Sequence, residues 1–260
     1  IALITGASRG FGLELARLFA TDGYDLVLVA RDAESLESLA ADLRATHGVS
    51  VRPHGKDLSL PGAADALWAE LAALDVGVDV LVNNAGAGVY GPLAEEDPAA
   101  LQRMVELNVG ALTTLTRLAL PPMLRRGWGR ILNVASVAAY QPGGPRMAAY
   151  YATKAYVLAF SKGIAGELRG TGVSVTALCP GPTKTAFEAR SGAGGTALYR
   201  WMRGPAAAAV ARAGYHGLMR GRAVVIPGLI AKVLAFAGEL PPRRIALEVN
   251  NLLLRGGRSG

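Results

Sequence analysis

Short apolar runs alternate along this chain with longer amphipathic stretches, and that alternation limits the available folds more than any other feature. Runs of strand length stand at Ile1–Thr5, Asp25–Ala30, Val49–Pro53, Val78–Asn83, Gly129–Ala135, Val173–Cys179 and Ala223–Pro227. Helix-period patterns lie between them at Gly12–Thr21, Asp32–His47, Pro61–Leu74, Pro98–Leu107, Val109–Arg126 and Ala148–Arg169. Strands apolar on both faces and separated by helices imply βαβ units around a buried parallel sheet. Asp32 reads as a helix N-cap and Pro61 as a first-turn proline. No solenoid or propeller period repeats.

The length of 260 residues suits one large α/β domain, and 51% hydrophobic against 18% charged residues gives ample core. A single cysteine, Cys179, excludes an internal disulfide, and His47, His54 and His216 lack ligand spacing, so no metal site is expected. The net charge of +7 is spread along the chain without interleaved aromatics. No nucleic-acid partner is therefore expected, and an anionic small ligand or anionic lipid accounts for the charge equally well. Lys232, Glu239 and the Pro241-Pro242 pair interrupt the most apolar late stretch, so no membrane-spanning helix is expected and the cytoplasm is the expected location. Ile1 already lies inside a strand-like run, which leaves open a leader or anchor before it.

Two segments differ from the βα rhythm. The connection at about 183–221 is long and rich in Gly and Ala, and it follows the sixth strand, where ligands bind in open α/β sheets. It is expected to be a substrate lid, and Phe187, Leu198, Tyr199, Trp201 and Met202 within it favour an apolar substrate. At about 241–260, Ile245, Val249, Leu252 and Leu253 recur at helical spacing among Arg243, Arg244, Arg255 and Arg258. This basic amphipathic tail reads as a packed terminal helix with solvated arginines, with a subunit interface or peripheral membrane contact as the alternatives.

Thr5-Gly6-Ala7-Ser8-Arg9-Gly10-Phe11-Gly12 stands between the first strand and the first helix. Glycines there permit close backbone approach, and the helix start presents free N–H groups to a phosphate. The spacing G-x-x-x-G-x-G resembles the cofactor loop of the short-chain dehydrogenase/reductase family. Further motifs follow in the family's order: Asn83-Asn84-Ala85-Gly86 at the end of the fourth strand, Asn108, Ser136 after the fifth strand, Tyr150-x-x-x-Lys154 on the next helix, and Pro180-Gly181 after the sixth strand. The resemblance spans Ile1 to about Pro227. It implies a single Rossmann-like, doubly wound α/β domain over 1–260, with a seven-stranded parallel sheet and helices on both faces. It also implies a homodimer or homotetramer through Val109–Arg126 and Ala148–Arg169.

The chemistry of these residue types is consistent with that family's carbonyl and secondary-alcohol interconversion. Tyr150 and Lys154, four apart on a helix, share a face. An ammonium beside a phenol favours its ionised form, and Tyr150 is expected to act as general acid/base. Ser136 is placed to hydrogen-bond the substrate oxygen. By resemblance, Lys154 also reaches the nicotinamide ribose and Asn108 holds a water of the proton relay. Tyr140 and Tyr151 have no lysine four residues on.

Arg31 at the end of the second strand and Arg9 in the glycine loop resemble the NADP-preferring members, because a 2′-phosphate calls for arginine. The acidic rival, Asp32, has a simpler task as a cap. By resemblance Asp57 and Leu58 contact adenine, with turn capping as the other use of Asp57. Asn84, Ala85 and Gly86 border the adenosine ribose, and Pro180 and Gly181 shape the nicotinamide side. Thr183 is favoured over Thr185 for the carboxamide or pyrophosphate. The expected cofactor set is thus Gly6, Ser8, Arg9, Gly10, Phe11, Gly12, Arg31, Asp57, Leu58, Asn84, Ala85, Gly86, Tyr150, Lys154, Pro180, Gly181 and Thr183, for NADP(H). A catalytically idle dinucleotide sensor and a membrane-surface scaffold are the alternatives from other classes.

Overall fold

A computed structural model describes residues 1–183, 187, 191–198, 205–240 and 242–255. Its strands are β1 (Ala2–Thr5), β2 (Leu26–Ala30), β3 (Val51–Gly55), β4 (Val80–Asn83), β5 (Gly129–Val134), β6 (Val173–Leu178) and β7 (Val224–Val225). Every pairing is parallel, in the order β3-β2-β1-β4-β5-β6-β7. The order reverses between β1 and β4, so the two neighbouring connections leave the sheet in opposite directions and open a crevice at its carboxyl edge.

Alternate residues of the apolar strands enter different cores. Ala2, Ile4, Leu26, Leu28, Val80 and Val82 face one cluster with α1 (Gly10–Thr21) and α2 (Ala33–His47). Leu3, Val27, Val29, Leu81 and Ile131 face the other, under α3 (Ala63–Ala73), α5 (Leu112–Arg126) and α6 (Ala148–Glu167). Burial on both faces is why these strands read as unbroken apolar runs.

Three elements differ from expectation. The sequence pattern breaks at Asn108, yet α4 (Pro98–Val105) continues into α5 through a π-helical turn over Glu106–Ala111. Within the stretch expected as a lid, α7 (Ala207–Met219) packs Val210, Ala211, Tyr215 and Leu218 into the core against α1. Tyr215 meets Phe19 edge-on at 4.8 Å, so burial fixes this helix to the body. The chain after β7 folds as two helices, α8 (Leu229–Glu239) and α9 (Arg243–Leu253), which pack on each other.

Candidate active site

The turn after β1 is built by close backbone approach. Gly6 has φ +66, and a Cβ there would stand 2.8 Å from Asn84 Nδ2. A Cβ on Gly12 would press on the Gly6 carbonyl and stand 2.5 Å from the same nitrogen. Asn84 Nδ2 donates to the carbonyls of Thr5 and Gly6, at 2.9 and 3.1 Å. The Thr5 hydroxyl accepts from the backbone N–H of Asn84 and Ala85, each at 3.0 Å. The Asn83–Gly86 segment is thereby laced to the glycine turn across the switch point. Gly12→Ala is expected to lower stability by about 1–3 kcal/mol, because the nearest obstructing atom is the Gly6 backbone carbonyl oxygen; urea unfolding reads the loss.

The N-terminus of α1 has no side-chain cap and no acidic residue in its first turn. Its free N–H groups and dipole face the crevice, an arrangement suited to a phosphate. On either side stand Arg9, whose Nη2 is 3.1 Å from Asp32 Oδ2, and Arg31, whose Nη1 is 3.9 Å from Asp57 Oδ2. Asp32 caps α2, accepting from Ser35 N at 3.1 Å and Ser35 Oγ at 2.7 Å. Asp57 Oδ1 accepts from the N–H and hydroxyl of Ser59, so this carboxylate holds a turn.

Beyond β5, Ser136 caps a short 3₁₀ turn over Val137–Tyr140, its Oγ accepting from Ala138 N at 3.1 Å. Tyr150 is buried on α6, with Phe187 at 5.3 Å and Tyr151 at 6.2 Å between ring centroids. Burial pushes the Tyr150 phenol up to about 12, opposed by its hydrogen bond with Ser136. Lys154 is also buried, and burial pushes its ammonium down to about 8. Its Nζ donates to the Val134 carbonyl at 2.8 Å and lies 5.8 Å from the centre of the Tyr150 ring. Helical spacing does bring the pair onto one face. It places the ammonium beside the ring, and desolvation, which disfavours both charged forms, outweighs the expected lowering of the phenol.

Asn108 lies at the π-helical turn. Its Oδ1 accepts from Ala87 N at 2.9 Å, and its Nδ2 donates to Ala87 O and Thr153 Oγ1 at 2.9 and 3.1 Å. The side chain joins the loop after Gly86 to α6. Thr183 is buried and its hydroxyl donates to Gly181 O at 3.0 Å. Thr185, Tyr199, Trp201 and Met202 fall outside the described residues.

Except for Gly12 and Asn108, every residue singled out for catalysis or cofactor binding lines one cavity of about 800 Å³. Gly12 sits beneath the glycine turn and Asn108 behind the wall. Phe187 and Leu198 from the expected lid also line it. So do residues that no motif marked: Tyr90, Arg103, Met104, Gln141, Leu234, Asn250 and Leu253. Asn250 Nδ2 donates to Gly143 O at 2.7 Å and Gln141 Oε1 at 3.3 Å, and the Tyr90 hydroxyl donates to Leu254 O. Asn250 and Leu254, at the end of α9, are thus fastened over the cavity by contacts more than a hundred residues apart in sequence.

The short chain dehydrogenase family model matches residues 1–194. This chain belongs to the short-chain dehydrogenase/reductase family. A serine 3-dehydrogenase of Agrobacterium fabrum is 38% identical over 192 residues, covering 71% of this chain and 72% of that protein. A short chain dehydrogenase of Pseudocercospora fijiensis is 36% identical over 198 residues, covering 75% of this chain but 63% of the longer relative. Among solved structures, a short-chain dehydrogenase from Sphingobium yanoikuyae in complex with NADPH matches with a TM-score of 0.81 and 36% identity, over 91% of this chain and 92% of that one. A bulky-bulky ketone specific alcohol dehydrogenase from Comamonas testosteroni matches at 0.76 and 32%, over 88% and 86%. The family is one of nicotinamide-dependent oxidoreductases, and the glycine turn of this chain, closed to any Cβ, fits such a dinucleotide.

Proposed function

We propose that this protein uses NADP(H) to interconvert a carbonyl and a secondary alcohol. The reading is carried by one arrangement: Ser136, Tyr150 and Lys154 share a continuous cavity with the glycine turn, Arg9 and Arg31. The bound nicotinamide would supply or accept the hydride. Gly6, Ser8, Gly10 and Phe11 with the α1 N-terminus would hold its phosphates, Arg9 and Arg31 the 2′-phosphate, and Asp57, Leu58 and Asn84–Gly86 the adenosine. Lys154, Pro180, Gly181 and Thr183 would border the nicotinamide ribose and ring.

In that site Tyr150 delivers a proton to the substrate oxygen during reduction, and Ser136 donates a hydrogen bond to the same oxygen as charge develops on it. Asn108 acts behind them, holding the Ala87 loop against α6. The apolar groups on the cavity wall, among them Phe187, Leu198, Leu234 and Leu253, favour a substrate with a hydrophobic body. Assembly through α5 and α6 belongs to the same reading. Tyr156 is exposed and stacks on Phe160 at 5.5 Å, giving α6 an aromatic outer surface. Light scattering of the purified chain would read a dimer or tetramer.

Cofactor choice is tested by titrating NADPH and NADH against nicotinamide fluorescence in the wild type and in Arg31→Ala. Arg31 is well exposed. Its removal is therefore expected to weaken NADPH about fivefold to tenfold and leave NADH unchanged. Equal weakening of both nucleotides would remove the 2′-phosphate role, and absence of binding by either would overturn the cofactor site.

A further inference from the structure

Helix α8 is built inside out for a helix in water. Ala231, Ala235 and Gly238 face the body, and Leu229, Val233, Phe236 and Leu240 form a stripe on the opposite side. Leu229 is 77% exposed and Phe236 66%. Rotation of the helix cannot hide these residues. A Cβ on Gly238 would stand 2.6 Å from the Tyr140 carbonyl, Gly181 lies directly beneath Ala231, and Gln141 Nε2 donates to Leu234 O at 2.6 Å. Only small residues fit at Ala231, Ala235 and Gly238, so apart from Leu234, which reaches the cavity, the large apolar ones are held outward.

Helix α9 repeats the pattern. Asn250 and Leu254 are buried, while Ile245, Val249 and Leu252 recur at helical spacing on the far side and are exposed. Lys232 on α8 and Arg243, Arg244 and Arg255 at the two ends of α9 border these stripes, against the acidic Glu239 and Glu248. Among the described residues, none of the four cations is held in an ion pair.

We infer that the α8–α9 hairpin docks on an anionic lipid surface, with its two stripes in the acyl boundary and the cations among the headgroups. An apolar stripe bordered by Lys and Arg is the pattern of a helix lying in a membrane interface. A second copy of the chain is a poorer occupant, because a two-fold contact on this face would bring the same net positive border against itself. No helix of the described residues is long and apolar enough to cross a membrane, so the contact is peripheral. Leu234, Asn250 and Leu253 of the same two helices line the substrate cavity. Docking would therefore hold the cavity about 10 Å, one helix diameter, behind the lipid surface.

The test is sedimentation of the full chain with vesicles of phosphatidylcholine alone and of phosphatidylcholine mixed with phosphatidylglycerol. It needs no nicotinamide, so its outcome is independent of the cofactor reading. The wild type is expected to sediment with the mixed vesicles, and high salt should release it. Val233→Asp/Phe236→Asp, at two exposed positions, should lower the partition coefficient more than tenfold with an unchanged melting curve. Arg243→Ser/Arg244→Ser should lower it about fivefold for each cation removed. Failure of the wild type to sediment with mixed vesicles would overturn the inference. So would a wild-type dimer that Val233→Asp/Phe236→Asp converts to monomer in the absence of lipid, since a second copy would then own the face.

Discussion

Tyr150→Phe is expected to reduce NADPH-dependent ketone reduction by about 10²–10⁴-fold, with NADPH affinity unchanged. The substitution removes one hydroxyl and keeps the ring between Phe187 and Tyr151, at 5.3 and 6.2 Å, so the cavity retains its shape. What is lost is the proposed proton donor and its hydrogen bond with Ser136. Burial pushes the phenol up to about 12, which keeps it in the donor form throughout the neutral range. Reduction should consequently show no loss attributable to this group below about pH 10. Alcohol oxidation needs the ionised form and should rise with pH over the same range. Steady-state rates on a panel of apolar ketones, beside nicotinamide fluorescence, would check both. A loss smaller than tenfold would remove Tyr150 from the proton-transfer step.

The second large effect concerns Lys154, where burial at the proposed catalytic site costs stability. Its ammonium is buried with a backbone carbonyl as its hydrogen-bond acceptor, and burial pushes it down to about 8 from an ordinary 10.5. The unfolded chain therefore holds this proton more tightly than the folded one. Below pH 8 both states carry it and the penalty is fully present. Between 8 and 10.5 the folded state has released the proton while the unfolded state keeps it, so the penalty disappears as pH rises. Lys154→Met is expected to be more stable than the wild type by about 1–3 kcal/mol at pH 7, after allowing for the unpaired Val134 carbonyl. The difference should shrink as pH rises from 8 towards 10.5, and the variant should be inactive. Urea titrations of both proteins at several pH values, without nucleotide, would measure it. The comparison is needed because burial also raises Cys179 and Tyr150, which lowers wild-type stability at the alkaline end. A constant difference across the range would show that Lys154 is not penalised by burial.

How the motifs divide between readable and unreadable follows from their distance in sequence. Asp32 was legible as a cap because N-capping involves residues three apart, and its bond to Ser35 N has that spacing. Gly6 and Gly12 were legible because a turn closed to Cβ atoms leaves no other residue type, although the Asn84 side chain that helps close it lies in the loop just beyond β4. Asn250 carried no local mark. Its partners, Gln141 and Gly143, are 109 and 107 residues away, beyond the reach of any local pattern. The tail was legible as amphipathic, but periodicity cannot say which face meets the protein.

By itself the sequence determined the parallel sheet, its helices and the order of the motif residues, since these follow from local periods of apolar burial and from short-range turn and cap chemistry. Tertiary structure alone decided that one cavity joins the glycine turn to Tyr150 and that α7 belongs to the core. It also decided that α8 and α9 close that cavity with Leu234, Asn250 and Leu253 while holding their other large apolar residues outward. Each of these depends on close packing between segments distant in the chain: a Gly238 that admits nothing larger against Tyr140, or a lysine whose charge is costly only because folding removes it from water.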